Sequence, residues 1–217
     1  MKKIIIIFFF FLSIIICYFV YQLTETEDIC ITSIGDTISK NMYIKDNDKH
    51  IRYDYNYTNK NYRIIDLQNI IKYNEEKYIA NTKKSIHQIL NKTDILILSI
   101  GMNDIYFKLN SDSKEIYTYI NGMLNNYDYL LNLINKYDYR QVFILGYYNI
   151  YNKNNDIYTY ANYKLKKLAT KYHYIYLDLN KIFRNHPEYL QKPDNFYPNA
   201  LGYYKINELI VEKMKYY

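Results

Sequence analysis

The sequence has few cysteines, few glycines and no concentrated run of basic residues. The two cysteines, Cys17 and Cys30, cannot form a disulfide framework, because Cys17 lies within a hydrophobic segment. The formal net charge of +6 comes from lysines scattered along the whole chain, so nothing specifically favours nucleic-acid binding. The sequence also contains no cluster with metal-ligand spacing and no phosphate-binding loop. We therefore expect no metal, no other cofactor and no nucleic-acid partner.

Tyrosine is the residue whose abundance stands out, with 31 copies in 217 residues. Asparagine, isoleucine and lysine are frequent as well, and all four have A/T-rich codons. Codon usage therefore explains the tyrosines better than ligand binding does. The length fits one domain of ordinary size plus an appendage.

The appendage is an apolar segment at the N-terminus. Residues 4–20 are interrupted only by Ser13 and Tyr18, and two lysines precede them. As a helix this segment would span roughly 25 Å, slightly less than a bilayer core of about 30 Å. A cleaved signal peptide is the competing interpretation, but no small-x-small cleavage site follows, and the apolar run is long for a signal core.

We therefore predict a signal anchor at residues 1–21, which keeps the two lysines in the cytoplasm and the rest of the chain outside. Residues 22–28 are a short polar linker, and residues 29–217 form the domain. The predicted location is the cell membrane, single-pass, with the C-terminal domain extracytoplasmic.

The centre of the domain is a buried stretch that ends in polar residues. Residues 95–100 are apolar except for Ser99, which indicates a strand buried on both faces of a parallel sheet. Gly101 ends the stretch, and Asn103 and Asp104 follow at once. Ligands bind just beyond the carboxyl ends of such strands, so we expect the Asn103 amide to face a developing negative charge. Asp104 is expected to cap the turn after Asn103.

Strands and helices alternate on either side of this stretch. Further strands are predicted at 28–34, 62–65, 141–145 and 174–179. Helices are predicted at 67–73, at 78–90, after Asp112, at 157–172 and at 200–214, whereas 39–61 gives no assignment. This alternation predicts an α/β fold with a parallel sheet and helices on both sides.

Three of the five glycines close predicted strands, at what would be the same edge of the sheet. They are Gly35, Gly101 and Gly146, and the polar residues beside them are Asp36, Thr37, Asn103, Asp104 and Asn149. A fourth group at 193–203 contains Asp194 and Tyr197 and opens the last helix. This ordered set resembles the GDSL/SGNH hydrolases, a family of esterases and lipases, most closely in its Gram-positive branch. The resemblance implies a three-layer α/β/α flavodoxin-like fold and covers nearly everything after the anchor.

The resemblance also implies roles for individual residues. Thr37 stands at the position of the family's serine nucleophile, and Tyr197 stands at that of its histidine base. Asp194 stands at that of the aspartate that orients the histidine. Thr37 and Asn103 would contribute to the oxyanion hole. The residues implied to line the cleft are Gly35, Asp36, Gly101, Asp104 and Asn149. In the family a glycine of the second block also contributes to the oxyanion hole. This sequence has no glycine between Gly35 and Gly101, so that residue has no counterpart here.

The two replaced positions bear directly on activity. Threonine keeps the hydroxyl, whereas a phenol with a pKa of about 10 stays protonated at neutral pH and donates a hydrogen bond. Losing the histidine costs a serine protease roughly 10⁶-fold in turnover. Of the four histidines, only His186 follows the last strand and so starts on the correct side of the sheet. A surface position beside Pro187 is the simpler interpretation of it.

Three hypotheses remain open. The first is a membrane-anchored hydrolase of acyl esters, in lipids or envelope glycans, whose activity is weakened or lost. The second is a non-catalytic relative that binds an acyl or glycan ligand. The third is a structural envelope protein whose cleft is filled with tyrosine side chains.

Overall fold

The computed structural model describes residues 12–16, 28–40, 44, 51–79, 81–109, 113–149, 155–192 and 195–214. The strands within these ranges are β1 (Ile29–Gly35), β2 (Ile51–Thr58), β3 (Glu76–Ile79), β4 (Thr82–Ser85), β5 (Ile95–Ser99), β6 (Gln141–Leu145), β7 (Ile175–Leu177), β8 (Leu190–Lys192) and β9 (Asn195–Pro198). The helices of the domain are α1 (Thr37–Lys40), α2 (Ile64–Lys72), α3 (Ile86–Leu90), α4 (Met102–Lys108), α5 (Ser113–Ile134), α6 (Asn155–Lys171), α7 (Leu179–Phe183) and α8 (Ala200–Lys213), and Pro187–Tyr189 forms a 3₁₀ turn.

Five of the strands form one sheet in the order β2-β1-β5-β6-β7. Every neighbouring pair in it is parallel. Strand β2 lies on one side of β1, and the later strands follow on the other side. The gap between β1 and β5 is therefore the topological switch point, beside which ligands bind in sheets of this kind. Gly35 pairs in register with Ser99, so these two strands end side by side.

Apolar side chains cover both faces of the sheet, as its continuously apolar strands require. Helices α2, α3, α5 and α6 pack on one face, where Leu96 and Tyr127 are fully buried. Helices α1, α7 and α8 pack on the other, where Ile97 and Phe183 are fully buried. Successive residues of β5 thus point to opposite cores. The predicted α/β architecture with a parallel central sheet is confirmed.

The predicted elements of the second half agree with the structure. The strand at 141–145 and the helices at 157–172 and 200–214 are present within two residues of their predicted ends. The last strand of the sheet is shorter than predicted, because Leu179 already begins α7.

Two predictions in the first half are wrong. The helix predicted at 78–90 begins instead as the antiparallel hairpin of β3 and β4, and only α3 is helical. Along β3 exposed and half-buried side chains alternate, which is the period of a strand. The strand predicted at 62–65 is replaced by the start of α2. There the Asp66 carboxylate accepts the backbone N–H of Arg63 at 2.8 Å and caps the helix.

The predicted anchor at 1–21 is described only at residues 12–16, which are helical and exposed. The rest of it, and all of the linker except residue 28, lie outside the described residues. No helix within the described ranges is long and apolar enough to cross a membrane.

A substitution at Gly35 tests whether the close approach of β1 to β5 requires a residue without a Cβ. Its φ is +130°, and an added Cβ would overlap the Ser99 carbonyl oxygen. We expect Gly35→Ala to lower the free energy of unfolding by roughly 2–4 kcal/mol, because it combines backbone strain with overpacking. Urea denaturation measures this loss.

Gly122 provides the matched control. It is exposed within α5, and an added Cβ would meet nothing within 4 Å. Gly122→Ala should raise the free energy of unfolding by about 0.5–1 kcal/mol, since glycine is a poor helix former. Equal effects of the two substitutions would contradict the close approach at Gly35.

Candidate active site

Asp36 and Ser99 lock the ends of β1 and β5 together. The backbone N–H of Asp36 donates to the Ser99 carbonyl at 2.7 Å, and the Ser99 hydroxyl donates to Asp36 Oδ1 at 3.0 Å. The same carboxyl oxygen accepts the backbone N–H of Ile38 at 3.1 Å, which anchors the start of α1. Thr37 is the first residue of α1 and is therefore held at the carboxyl edge of the sheet.

The Asp36 carboxyl is buried in a way that changes its charge. The residue is only 3% exposed, and Oδ2 accepts no hydrogen bond from the described residues. Burial raises the pKa of Asp36 to about 7, against the opposing effect of the bonds from Ile38 and Ser99, and the nearby Asp104 carboxyl adds to the rise. At neutral pH this carboxyl therefore favours its protonated form much more than an exposed aspartate does.

Asn103 lies at the same edge, in the first turn of α4. A helix follows Gly101 here, where the sequence suggests a turn. The Asn103 amide nitrogen donates to the carbonyl of Lys60 at 2.9 Å and to that of Tyr62 at 2.8 Å. An amide has two hydrogens, so an oxyanion could receive one only by displacing a loop carbonyl. The amide fastens the loop after β2 to α4.

Asp104 does not cap the turn after Asn103, and that prediction is wrong. Because both residues belong to a helix, the Asp104 side chain reaches another element. Its Oδ2 accepts the backbone N–H of Ile64, the first residue of α2, at 3.2 Å. Burial raises the pKa of Asp104 to about 6, while the Ile64 N–H and the Arg63 charge oppose the rise.

The last block reaches the same edge of the sheet. Cα atoms of α1 lie within 8 Å of Cα atoms of β9, the strand that contains Tyr197. Burial raises the pKa of Tyr148 well above its usual value, and Asp36 and Tyr197 are among the groups that add to the rise. The structure therefore brings the first and last blocks together, whereas Asp194 lies outside the described residues.

Tyrosine rings fill the space next to two of the strand-ending glycines. An added Cβ at Gly101 would overlap the Tyr147 hydroxyl, and one at Gly146 would overlap that of Tyr176. The hydroxyls of Tyr127, Tyr147 and Tyr176 are buried and have no hydrogen-bond partner within the described ranges. Burial raises the pKa of Tyr147 well above its usual value, and the Tyr127 hydroxyl contributes. These glycines leave room for phenol rings.

Asn149 is buried, although the resemblance implies a place in the cleft lining. Its backbone N–H donates to Asn180 Oδ1 at 3.3 Å, and its side-chain amide donates to Asn155 Oδ1 at 2.7 Å. Side-chain amides from the starts of α6 and α7 therefore hold it. The other residues with this implied role are buried too, namely Gly35, Asp36, Gly101 and Asp104.

His186 faces a separate surface groove. Its Nδ1 pairs with Glu188 Oε1 at 2.7 Å, and its ring stacks on Tyr189 with 4.7 Å between centroids. The groove has a volume of about 350 Å³ and is lined mainly by residues of α7 and α8. The two described contacts of His186 are local, which favours its interpretation as a surface histidine.

An open cleft lies beside Asn103. It has a volume of about 430 Å³ and is lined by Asn61, Arg63, Asn103, Tyr106 and Phe107. Tyr106 is 59% exposed and Phe107 is 70% exposed, and the Arg63 guanidinium lies 5.7 Å from the Phe107 ring centroid. Sequence reasoning finds only Asn103 among these residues. The available signal was the pair of aromatic residues that directly follows the polar block.

The raised pKa of Asp36 makes folding stability depend on pH. The carboxyl stays protonated to about pH 7 in the folded state but ionises near pH 3.9 in the unfolded chain. Between these values the folded state binds more protons, so stability should fall as the pH rises, by at most about 1.4 kcal/mol per pH unit. Asp104 acts in the same direction, but only up to about pH 6.

Asp104 also titrates near the lower end of the window from pH 6 to 7.5, so comparison with a variant that cannot titrate at position 36 is needed to isolate the contribution of Asp36. Asp36→Asn keeps the acceptor oxygen for Ile38 and Ser99 but cannot titrate. We expect urea denaturation of wild type to show falling stability across this window and that of Asp36→Asn to show a flatter profile. Parallel profiles would mean that the carboxyl is already ionised in the folded protein.

The sequence matches no family model and no curated protein.

The fold, in contrast, is similar to several solved structures. An acetylxylan esterase from Geobacillus stearothermophilus has 13% identity and a TM-score of 0.60, over 87% of this chain and 95% of its own. The acetyl xylan esterase AlAXEase has 15% identity and a TM-score of 0.62, over 86% and 100%. A Parabacteroides merdae protein described as a GDSL-like lipase has 13% identity and a TM-score of 0.59, over 86% and 95%. The chain has the α/β fold of these esterases and lipases.

Proposed function

We propose that the chain is a GDSL/SGNH-type protein, closest to the Gram-positive branch, whose acyl-ester hydrolysis is weak or lost. The observation that carries the proposal is the meeting of three sequence blocks at one sheet edge. Thr37 follows β1, Asn103 follows β5, and β9 with Tyr197 lies beside α1. The similarity of fold to esterases and lipases supports acyl esters of lipids or envelope glycans as the substrate class.

In the proposed reaction the Thr37 oxygen attacks the acyl carbonyl carbon, and the hydroxyl proton must pass through a base to the departing alcohol. The ester C–O bond breaks as the alcohol leaves, and water then hydrolyses the acyl-threonine. Tyr197 occupies the position of that base. A neutral phenol donates a hydrogen bond instead of accepting the proton. Asp194, at the position of the orienting aspartate, then has no imidazole to orient.

The oxyanion hole is the second feature that is expected to limit the rate of hydrolysis. At the start of α1 the backbone N–H of Ile38 is donated to Asp36 Oδ1, and both Asn103 amide hydrogens are donated to loop carbonyls. In a serine protease, the oxyanion hole and binding alone leave roughly 10³-fold acceleration over water. We therefore expect turnover far below that of an ordinary esterase.

A non-catalytic protein that binds an acyl or glycan ligand is the second candidate. The open cleft beside Asn103 favours it, since this cleft is lined by a residue that the resemblance places in the oxyanion hole. The same cleft argues against a purely structural protein whose cleft is filled with tyrosine side chains.

We further propose that residues 1–21 remain attached as a signal anchor, with the domain outside the membrane. The apolar length of residues 4–20 and the lack of a cleavage site support this. N-terminal sequencing of the native membrane fraction should find the start of the chain intact. A mature N-terminus near Glu25 would contradict the anchor.

Restoring the two replaced groups tests the proposed chemistry. Thr37→Ser combined with Tyr197→His supplies the usual nucleophile and base, so hydrolysis of p-nitrophenyl acetate should rise by several orders of magnitude. Neither single substitution should match the pair, because nucleophile and base act as a unit.

His186→Ala is the control and should leave the wild-type rate unchanged. Two results would contradict the proposal. One is a wild-type protein that already turns over at ordinary esterase rates. The other is loss of activity in His186→Ala, which would show that this histidine serves as the base.

A further inference from the structure

We propose that the open cleft beside Asn103 is a saccharide-binding subsite. A pyranose ring packs against Tyr106 and Phe107, and its hydroxyls bond to Arg63 and Asn103. The inference rests on the proposed function for the location of the ester that is cleaved. Binding itself requires neither Thr37 nor Tyr197.

The aromatic walls fit the apolar faces of a sugar ring. Tyr106 and Phe107 are successive residues of α4, so their side chains point about 100° apart and form adjoining walls. Both are more than half exposed although they carry large apolar surfaces. The C–H bonds of a pyranose carry slight positive charge, which suits the negative face of an aromatic ring.

The polar groups of the cleft fit the hydroxyl rim of the same ring. Arg63 offers a planar fork of N–H donors, and its guanidinium lies 5.7 Å from the Phe107 ring centroid. Asn103 donates both amide hydrogens to the loop, which leaves its Oδ1 as the acceptor. A sugar hydroxyl both donates and accepts, so neighbouring hydroxyls satisfy Asn103 and Arg63 together.

An acyl chain fits this cleft less well. It would cover the guanidinium and the amide oxygen without offering them hydrogen bonds, and such uncompensated burial is unfavourable. The cleft volume of about 430 Å³ lies in the lower part of the range for small-ligand sites, roughly 300–1,000 Å³. One or two sugar units in an open cleft satisfy both the size and the polarity.

The test uses the full-length chain in detergent with two soluble probes, cellotriose and triacetylchitotriose. Saturation-transfer NMR should show transfer from the protein to the ring C–H protons of at least one trisaccharide. Phe107→Ala and Tyr106→Ala should each raise the Kd of that probe about tenfold. Arg63→Lys keeps the charge but loses the fork, so it should also weaken binding.

Exposed tyrosines elsewhere supply matched controls. Tyr78 on β3 is 72% exposed and Tyr163 on α6 is 55% exposed, close to the values of Phe107 and Tyr106. Tyr78→Ala and Tyr163→Ala should leave the Kd unchanged.

Three outcomes would overturn the subsite. One is no transfer to either trisaccharide, and another is binding that survives both Phe107→Ala and Tyr106→Ala. The third is octanoate binding that Phe107→Ala abolishes while trisaccharides do not bind, which would identify an acyl site. The esterase assay of the Thr37→Ser/Tyr197→His pair is independent, because catalysis can fail while saccharide binding persists.

Discussion

The close approach of β1 to β5 is the constraint on which the candidate site depends. Only a residue without a Cβ fits at Gly35, and that approach lets the Asp36 N–H reach the Ser99 carbonyl. The Ser99 hydroxyl then satisfies Asp36 Oδ1, which also caps α1. The position of Thr37 relative to the strand before Asn103 is therefore fixed by backbone geometry and one buried polar pair. This arrangement buries the Asp36 carboxyl, and burial favours its neutral form.

The parts of the fold that could be predicted were those with long, regular apolar patterns. The continuous apolar run of β5 and the period of α6 needed no tertiary information. Strand β2 was missed because its buried positions are tyrosines, Tyr55 and Tyr57. Tyrosine is so frequent throughout this chain that its presence does not distinguish buried positions from exposed ones. The β3–β4 hairpin was missed because its residues are largely exposed and lack an apolar period.

The candidate site likewise has features that local sequence predicts and features that it does not. The location of Asn103 follows from local sequence, since a glycine after a buried strand places the next residues at the sheet edge. The hydrogen bonds of Asn103 do not follow from local sequence, because it donates to the carbonyls of Lys60 and Tyr62 in a loop 41 to 43 residues away. Asp104 likewise bonds to Ile64, 40 residues away. Which hydrogen bond a polar side chain makes is decided by the element that packs against it.

The charge states of the groups at this edge of the sheet bear on what the edge can do. Proton transfer needs a group that changes charge near the working pH. Asp36 changes charge near neutral pH but is buried below the surface. Among the residues that line the open cleft, Arg63 is the single ionised group. A cleft lined by two aromatic residues, one arginine and two asparagines is equipped to hold a polar, uncharged ligand. Under the proposed function, such a cleft retains binding whether or not the groups at positions 37 and 197 support rapid ester hydrolysis.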